Sequence, residues 1–489
     1  MNRLAGAMAQ KATEKLTENG DKSFSTSKSA CLDLFALGGS LRTRSESDIL
    51  ALWRLAEEED PITAYKILFF IRSIRHGYGE RRTFRVIWNS LNRDIQTALG
   101  HLVPEAGRFD DLEDSIMLNS QIAMWVRENL EYEYGTIDDG QSPSLLAKWL
   151  PCGRGNKSAK ERTRRMAKRL GYSEQEYRKK VTALRKKLNL VESKMANSEW
   201  SEIDYSKLPS LAGHKYTKAF YRHDKARYKE FLDRARKGEV KMNASVITPT
   251  EVIVGGHKGN WDRAETEWAN LPDFLGEENS GIAIVDTSGS MTWHSIGGGA
   301  YPIDASVAMG IYFAERNKGP FKGLFMTFET KPSFVDISKC RSLRTKYDTA
   351  RRASWGGSTN LRRALEELLN LAKRTGCSQE DMPKTLYIFS DMEFDTCIEG
   401  FDETTYETMK RMFEEEGYKL PKVVFWNLNA RNNTLPVQKD EIGTVLVSGY
   451  SPRTFMSVVK GITPEDTMRE ALEKFPYSKT IELTIQKMV

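Results

Sequence analysis

The apolar positions of the chain change period once along its length. In ESDILALWRLAEE (46–58), PITAYKILFFIRSI (61–74) and RRTFRVIWNSLNRDIQTAL (81–99) they recur at three- and four-residue steps, which predicts amphipathic helices. Asp60 before Pro61 reads as an N-cap and first helical position. From Leu32 to about Leu145 such helices follow one another with short connections, so a stacked helix-pair domain is expected, without a clean repeat in the sequence itself.

Beyond Gly281 short apolar runs alternate with helical segments. GIAIVD (281–286), GLFMTF (323–328), TLYIFSD (385–391), KVVFWNL (422–428) and TVLVSG (444–449) read as buried strands. DASVAMGIYFAERN (304–317), LRRALEELLNLAKRT (361–375) and YETMKRMFEEEG (406–417) read as helices between them, with another after Pro452. This alternation predicts a mostly parallel sheet covered on both faces. The expected organisation is a polar, flexible segment over 1–28, an all-helical domain over 29–245, a Gly- and Pro-containing linker over 246–280 and an α/β domain over 281–489.

Length and charge refine that picture. At 489 residues the chain can bury more than one substantial core. Its formal charge is only +6, but Gly153–Lys187 holds 14 Lys or Arg against 3 Glu, a basic insertion around 154–187. Such a run is either a solvated helix face or a polyanion contact favoured by counterion release. The polyanion reading nominates Arg162, Arg164, Arg165, Lys168, Arg169, Lys179, Lys180, Arg185, Lys186 and Lys187, together with Arg75, His76, Arg81 and Arg82 from RHGYGERR. Between His214 and Phe231, Tyr216, Phe220, Tyr221, Tyr228 and Phe231 interleave with cations; they suit base stacking and a helical packing face equally. Cys31, Cys152, Cys340, Cys377 and Cys397 are scattered, and no apolar run reaches membrane-spanning length or resembles a signal peptide, so a reducing, cytoplasmic setting with no membrane is expected.

The candidate chemistry lies where strands end. Asp286, Ser288 and Ser290 leave the carboxyl end of the first apolar run; Ser358 and Thr359 follow two glycines in WGGSTNLRRAL (355–365); Asp391 ends TLYIFSD. In an α/β sheet these termini share one edge, where ligands bind. A carboxylate and hydroxyl set of this kind suits a hard divalent cation such as Mg2+, with waters or a partner's carboxylate completing the shell. Asp-x-Ser-x-Ser alone is also a common turn pattern, so its weight comes from the three elements occurring in order. Glu393 and Asp395 follow Asp391 closely and are left outside the ligand set.

These residues carry resemblances. DTSGSM, GGST and SDMEF resemble the metal-ion-dependent adhesion site of a von Willebrand factor A domain, which implies a doubly wound α/β (Rossmann-like) fold and magnesium held by Asp286, Ser288, Ser290, Thr359 and Asp391. LFALGGSLR (34–42), FIRSIRHGYGERRTFRVIW (70–88) and LVPEAGRFDDLEDSI (102–116) resemble the TROVE module of Ro-type RNA-binding proteins. That likeness implies an α-helical HEAT-like repeat ring, closed by the A domain, that binds structured noncoding RNA outside and single-stranded ends within. RHGYGERR and the basic insertion depart from the Ro pattern. SLLAKWLP (144–151), ANSEWSEIDYSKLPSLAGHKYTKAFYRHD (196–224), SDMEFD and VVFWNLNA (423–430) are similar to the DUF2828 family across most of the chain, a family found in viral and cellular genomes.

Enzyme patterns are absent from the sequence. The six histidines form no HExxH, the serines lack a G-x-S-x-G elbow, and GYGER lacks the lysine of a nucleotide loop. The expectation is a nonenzymatic RNA-binding scaffold with a divalent-metal docking site; the alternative is a metal-dependent protein assembly module, of a virus or its host, without specific RNA binding.

Overall fold

Two short strands near the start of the chain, β1 (Glu14–Leu16) and β2 (Lys22–Phe24), pair antiparallel. Six more form one sheet: β3 (Gly281–Asp286), β4 (Leu324–Phe328), β5 (Ser333–Asp336), β6 (Thr385–Ser390), β7 (Lys422–Asn427) and β8 (Thr444–Ser448). The computed structural model describes residues 13–488 except 154, 277–279, 294, 298, 329–330, 354–359, 396–402 and 459–460.

The sheet order is β5-β4-β3-β6-β7-β8, parallel throughout except for β5, which runs antiparallel at one edge. The order reverses between β3 and β6. Right-handed crossovers in opposite directions from that point place the helices Pro302–Arg316 and Thr405–Glu415 on opposite faces. Strands covered on both sides must be apolar throughout, which is why β3, β6 and β7 read as continuous runs of buried residues. Phe313, Tyr387, Trp426 and Phe455 meet ring against ring on one face.

The amino-terminal half is helical, as its period predicted. Helices Glu46–Glu59 and Pro61–Arg72 have the expected boundary, with the Asp60 carboxylate accepting from Thr63 N at 3.1 Å. The single helix read over 81–99 is two, Arg82–Ser90 and Arg93–Leu99, because Asn92 caps a new start by accepting from Ile95 N at 2.9 Å.

Three expectations about organisation need correction. The predicted linker contains helices Pro249–Gly255 and Trp261–Ala269, packed on Pro302–Arg316, with Trp268 Nε1 donating to Glu315 at 2.5 Å. Thr248, Pro249 and Glu251 form a capping box, a start signal that outweighs the neighbouring glycines. The segment read as flexible is, over residues 13–24, a hairpin docked on the α/β half: Gly20 bridges to Asp395, Lys22 to Thr404 and Phe24 to Leu435. Finally, the two halves do not have separate cores. One apolar cluster runs from Cys31 to Ile485, helix Ala30–Gly38 packs on β8, and the last helices return to the first half, where Phe475 meets Phe70 at 5.7 Å and Lys66 pairs with Glu482 at 2.9 Å. A second, smaller core gathers Phe220, Tyr228 and Leu232 with neighbours between Val191 and Met242.

Candidate functional site

The order reversal places the carboxyl ends of β3 and β6 side by side, the position at which α/β sheets open a crevice. Asp286 ends β3 fully buried. Its Oδ1 accepts from Ser288 N at 2.9 Å, turning the chain into the short helix Gly289–Thr292, and its Oδ2 accepts from the Ser390 hydroxyl at 2.5 Å. The hydroxyls of Ser288 and Ser290 lie 3.1 Å apart. Asp391, also buried, follows β6; its Oδ1 accepts from Glu393 N at 3.2 Å and it is bonded by the Ser290 hydroxyl. Between them Met392 has φ 66°, a left-handed conformation that a side chain adopts at a cost and that re-aims the loop after β6.

Burial first, and then the facing Asp391 carboxylate, push the Asp286 carboxyl up to about 7. Burial also raises Asp391, against the pull of Arg431 and of the Glu393 amide, and raises Glu393. Asp391 Oδ2 pairs with Arg431 Nη2 at 3.0 Å, and Arg431 Nη1 reaches Glu18 on the hairpin at 2.5 Å. One guanidinium therefore holds two carboxylates, the buried Asp391 and the exposed Glu18, while Asn432 Nδ2 next to it donates to Glu393 at 3.3 Å.

This donor set fits a hard cation. Two buried carboxylates, both disfavoured as anions by burial and one of them also by the other, with hydroxyls between them, are what a divalent ion relieves. Asp286, Ser288, Ser290 and Asp391 are brought together, whereas Ser358 and Thr359 lie outside the described residues. Among the described residues no group of three or more His, Cys, Asp or Glu is placed to hold a metal, so such a site would rest on two carboxylates plus hydroxyls. Sequence reading missed Ser390, Arg431, Asn432 and Glu18. The loop after β7 was a usable signal, since that strand ends at the same sheet edge; the hairpin contact had none.

The basic candidates divide sharply. Arg81 bonds Asp110 and Asp111, and Arg82 donates to the Arg44 carbonyl at 2.7 Å, so both brace the helical half. Arg162 pairs with Glu113 at 2.5 Å, Arg164 with Glu161 at 3.4 Å and Glu174 at 3.5 Å, and Lys180 with Glu131 at 2.8 Å. Arg169 and Arg185 donate to carbonyls, of Ile116 at 2.7 Å and Leu150 at 2.7 Å respectively. Arg75 and His76 are exposed, and burial with Arg453 and Arg75 nearby lowers the His76 imidazole. Arg165, Lys168, Lys179, Lys186 and Lys187 are exposed on helices Lys157–Arg169 and Glu174–Lys187, with no ion pair among the described residues. The aromatic stretch resolves to packing: Phe220 and Tyr228 are buried in the second core, and Tyr216, Tyr221 and Phe231 pack against it.

Among the described residues no helix is long and apolar enough to cross a membrane. Residues 280–482 match the family described as Domain of unknown function (DUF7788), and residues 17–94 and 143–274 match Domain of unknown function (DUF2828). An uncharacterised protein of Acanthamoeba polyphaga mimivirus is 30% identical over 514 residues, covering 95% of this chain and 88% of that protein. The crystal structure of the Deinococcus radiodurans RO (RSR) protein aligns over 91% of this chain and 93% of its own, with a TM-score of 0.36 and 12% identity. The DUF2828 match on both sides of residues 95–142, with a relative this similar over nearly its full length, places the chain in the DUF2828 family.

Proposed function

We propose that the chain is a nonenzymatic assembly module whose α/β half is a von Willebrand factor A-like domain that binds Mg2+, or another divalent cation, and uses it to capture a partner protein's carboxylate. The observation that carries this reading is the buried Asp286 and Asp391 pair at the β3–β6 reversal, linked by the Ser288 and Ser290 hydroxyls, with Asp391 adding to burial in raising the Asp286 carboxyl. Asp286, Ser288, Ser290 and Asp391 would hold the ion, with Thr359 as a further candidate ligand. When bound, the cation supplies positive charge that an external carboxylate can complete. The residues' own task is to exclude water around Asp286, to orient it through Ser390 and Ser288 N, and to keep the hydroxyls of Ser288 and Ser290 together.

The test is a nuclease-treated pull-down with Mg2+, comparing the parent with Asp286→Ala and measuring bound metal in both. Loss of a nuclease-resistant partner together with the metal supports the module; retention of the same partner after metal loss rejects it.

A second reading has its own observation. The cations Arg165, Lys168, Lys179, Lys186 and Lys187 on neighbouring helices, exposed and without an ion pair among the described residues, support a polyanion contact, with RNA as the expected ligand. Sequencing RNA recovered with the parent, but not with Ala at the first four of these positions, would support that reading.

A further inference from the structure

The hairpin of β1 and β2 is tied to the candidate cation site through Asp391, one of the proposed ligands, and through Glu393 beside it. Glu18, at its turn, accepts from Arg431 Nη1 at 2.5 Å and from Asn432 Nδ2 at 2.8 Å. Arg431 holds Asp391 Oδ2 with its other terminal nitrogen at 3.0 Å. A parallel set of bonds runs through Glu393, two residues past Asp391. Its Oε2 accepts from Glu18 N at 2.7 Å, its Oε1 from Asn432 Nδ2 at 3.3 Å and its carbonyl from Asn19 Nδ2 at 2.6 Å. The Thr17 hydroxyl donates to the Phe394 carbonyl at 2.6 Å.

We propose that Arg431 stands in for the cation at Asp391, and that loading the site with a divalent ion releases the Glu18 turn of the hairpin from the loops after β6 and β7. The inference rests on the cation site proposed above. A divalent ion taking an oxygen of Asp391 competes with the guanidinium for the same carboxylate, and two positive centres on one buried oxygen pair repel each other. Arg431 Nε is buried with no hydrogen-bond partner among the described residues, so its seat is incompletely satisfied and easier to give up. Once Arg431 turns away, Glu18 loses its charged anchor, and any shift of the loop after Asp391 is passed on through Glu393. The remaining anchors lie from Gly20 to Phe24 rather than at Glu18, so the turn that carries Glu18 is the part set free. The hairpin's strands are three residues each, too short to be stable by themselves, and away from Glu18 it is held by the bridges of Gly20 to Asp395, Lys22 to Thr404 and Phe24 to Leu435 and by the Thr405 hydroxyl on the buried Asp21 carboxylate.

Competition of this kind is reciprocal: whatever factor the ion adds to hairpin opening, opening adds to ion affinity. The experiment uses the full chain stripped with chelator, Mn2+ alone as the probe, calorimetry for binding, and amide exchange over residues 14–24 and at Leu435. We expect Mn2+ to bind and to speed exchange in the hairpin by at least about fivefold. Glu18→Gln should give a hairpin that already exchanges fast and no longer responds, and Arg431→Gln should do the same with tighter Mn2+ binding. Affinity alone does not decide the matter, because losing a positive charge beside the site raises it in any case. Binding of Mn2+ with hairpin exchange unchanged or slowed overturns this inference and leaves the cation site standing. Failure of Mn2+ to bind both parent and Arg431→Gln overturns the two together.

Discussion

Gly39 and Ser448 stand 409 residues apart, and the Gly39 amide donates to the Ser448 hydroxyl at 2.9 Å. A Cβ on Gly39 would lie 2.8 Å from the Ser448 carbonyl oxygen and 2.9 Å from its carbonyl carbon, both backbone atoms that cannot swing aside. The end of helix Ala30–Gly38 is thus seated directly on β8, and the helical half serves as part of the cover of the sheet. Gly39→Ala is expected to destabilise the chain by about 1–3 kcal/mol, the usual cost of overpacking. Because both halves share one core, the loss should appear as an earlier single transition in thermal denaturation, and early melting of the helical half alone would contradict the shared core.

The pairing of Arg72 with Asp111 supplies a second prediction. Both side chains are buried, Nη2 to Oδ2 is 2.6 Å, and Asp111 also accepts from Arg85 Nε at 2.7 Å. Truncating one partner of a buried pair leaves the other charge without compensation. Asp111→Ala should cost about 3–5 kcal/mol in denaturant unfolding, and Arg81→Gln, at a residue 40% exposed, should cost far less. Equal effects of the two would show that the cluster is not organised around the buried pair.

Much of this fold was legible in the sequence, for reasons that also explain the misses. β3, β6 and β7 are covered on both faces and announce themselves as apolar runs. β5 is a four-residue antiparallel edge strand, SFVD, with one buried position, and offers no such signal. Asp286, Ser288, Ser290 and Asp391 were readable because strand ends converge by topology. The pairing of Arg431 with Glu18 was not, since it joins the loop after β7 to a hairpin across 413 positions and depends on the finished fold. The aromatics between Tyr216 and Phe231 were ambiguous because stacking platforms and core faces use the same residues at the same spacing.

The raised Asp286 carboxyl fixes a sign for pH dependence without metal. Its value rises from 3.8 when unfolded to about 7 when folded, so the favourable contribution is complete below about pH 4 and is lost as pH climbs through about 7. Asp391 is the charged group that acts on Asp286, and Arg431, Glu18 and Glu393 lie beyond it; Asp391 and Glu393 shift in the same direction as Asp286. In chelator, the melting temperature should carry a downward component between about pH 4 and about pH 8 that Asp286→Asn reduces and that added Mg2+ offsets at the upper end. Parallel pH profiles for parent and Asp286→Asn would refute the assignment.

The two classes of basic residue separate binding from stability. Reversing Arg165, Lys168, Lys179 and Lys186 to Glu removes charges that are exposed and unpaired among the described residues, so melting should be unchanged. If these residues meet phosphates, single-stranded RNA affinity falls and the slope of log affinity against log salt becomes shallower by about 3, at about 0.7 per phosphate contact. Arg185→Ala should behave in the opposite way. Its guanidinium ties helix Glu174–Lys187 to the carbonyls of Ala147 at 2.8 Å and Leu150 at 2.7 Å, so its loss strands buried acceptors and lowers the melting temperature. A fourfold reversal that leaves RNA binding and its salt slope unaltered would assign the basic face to solvation, and the cation site would then stand as the chain's remaining candidate for recognition.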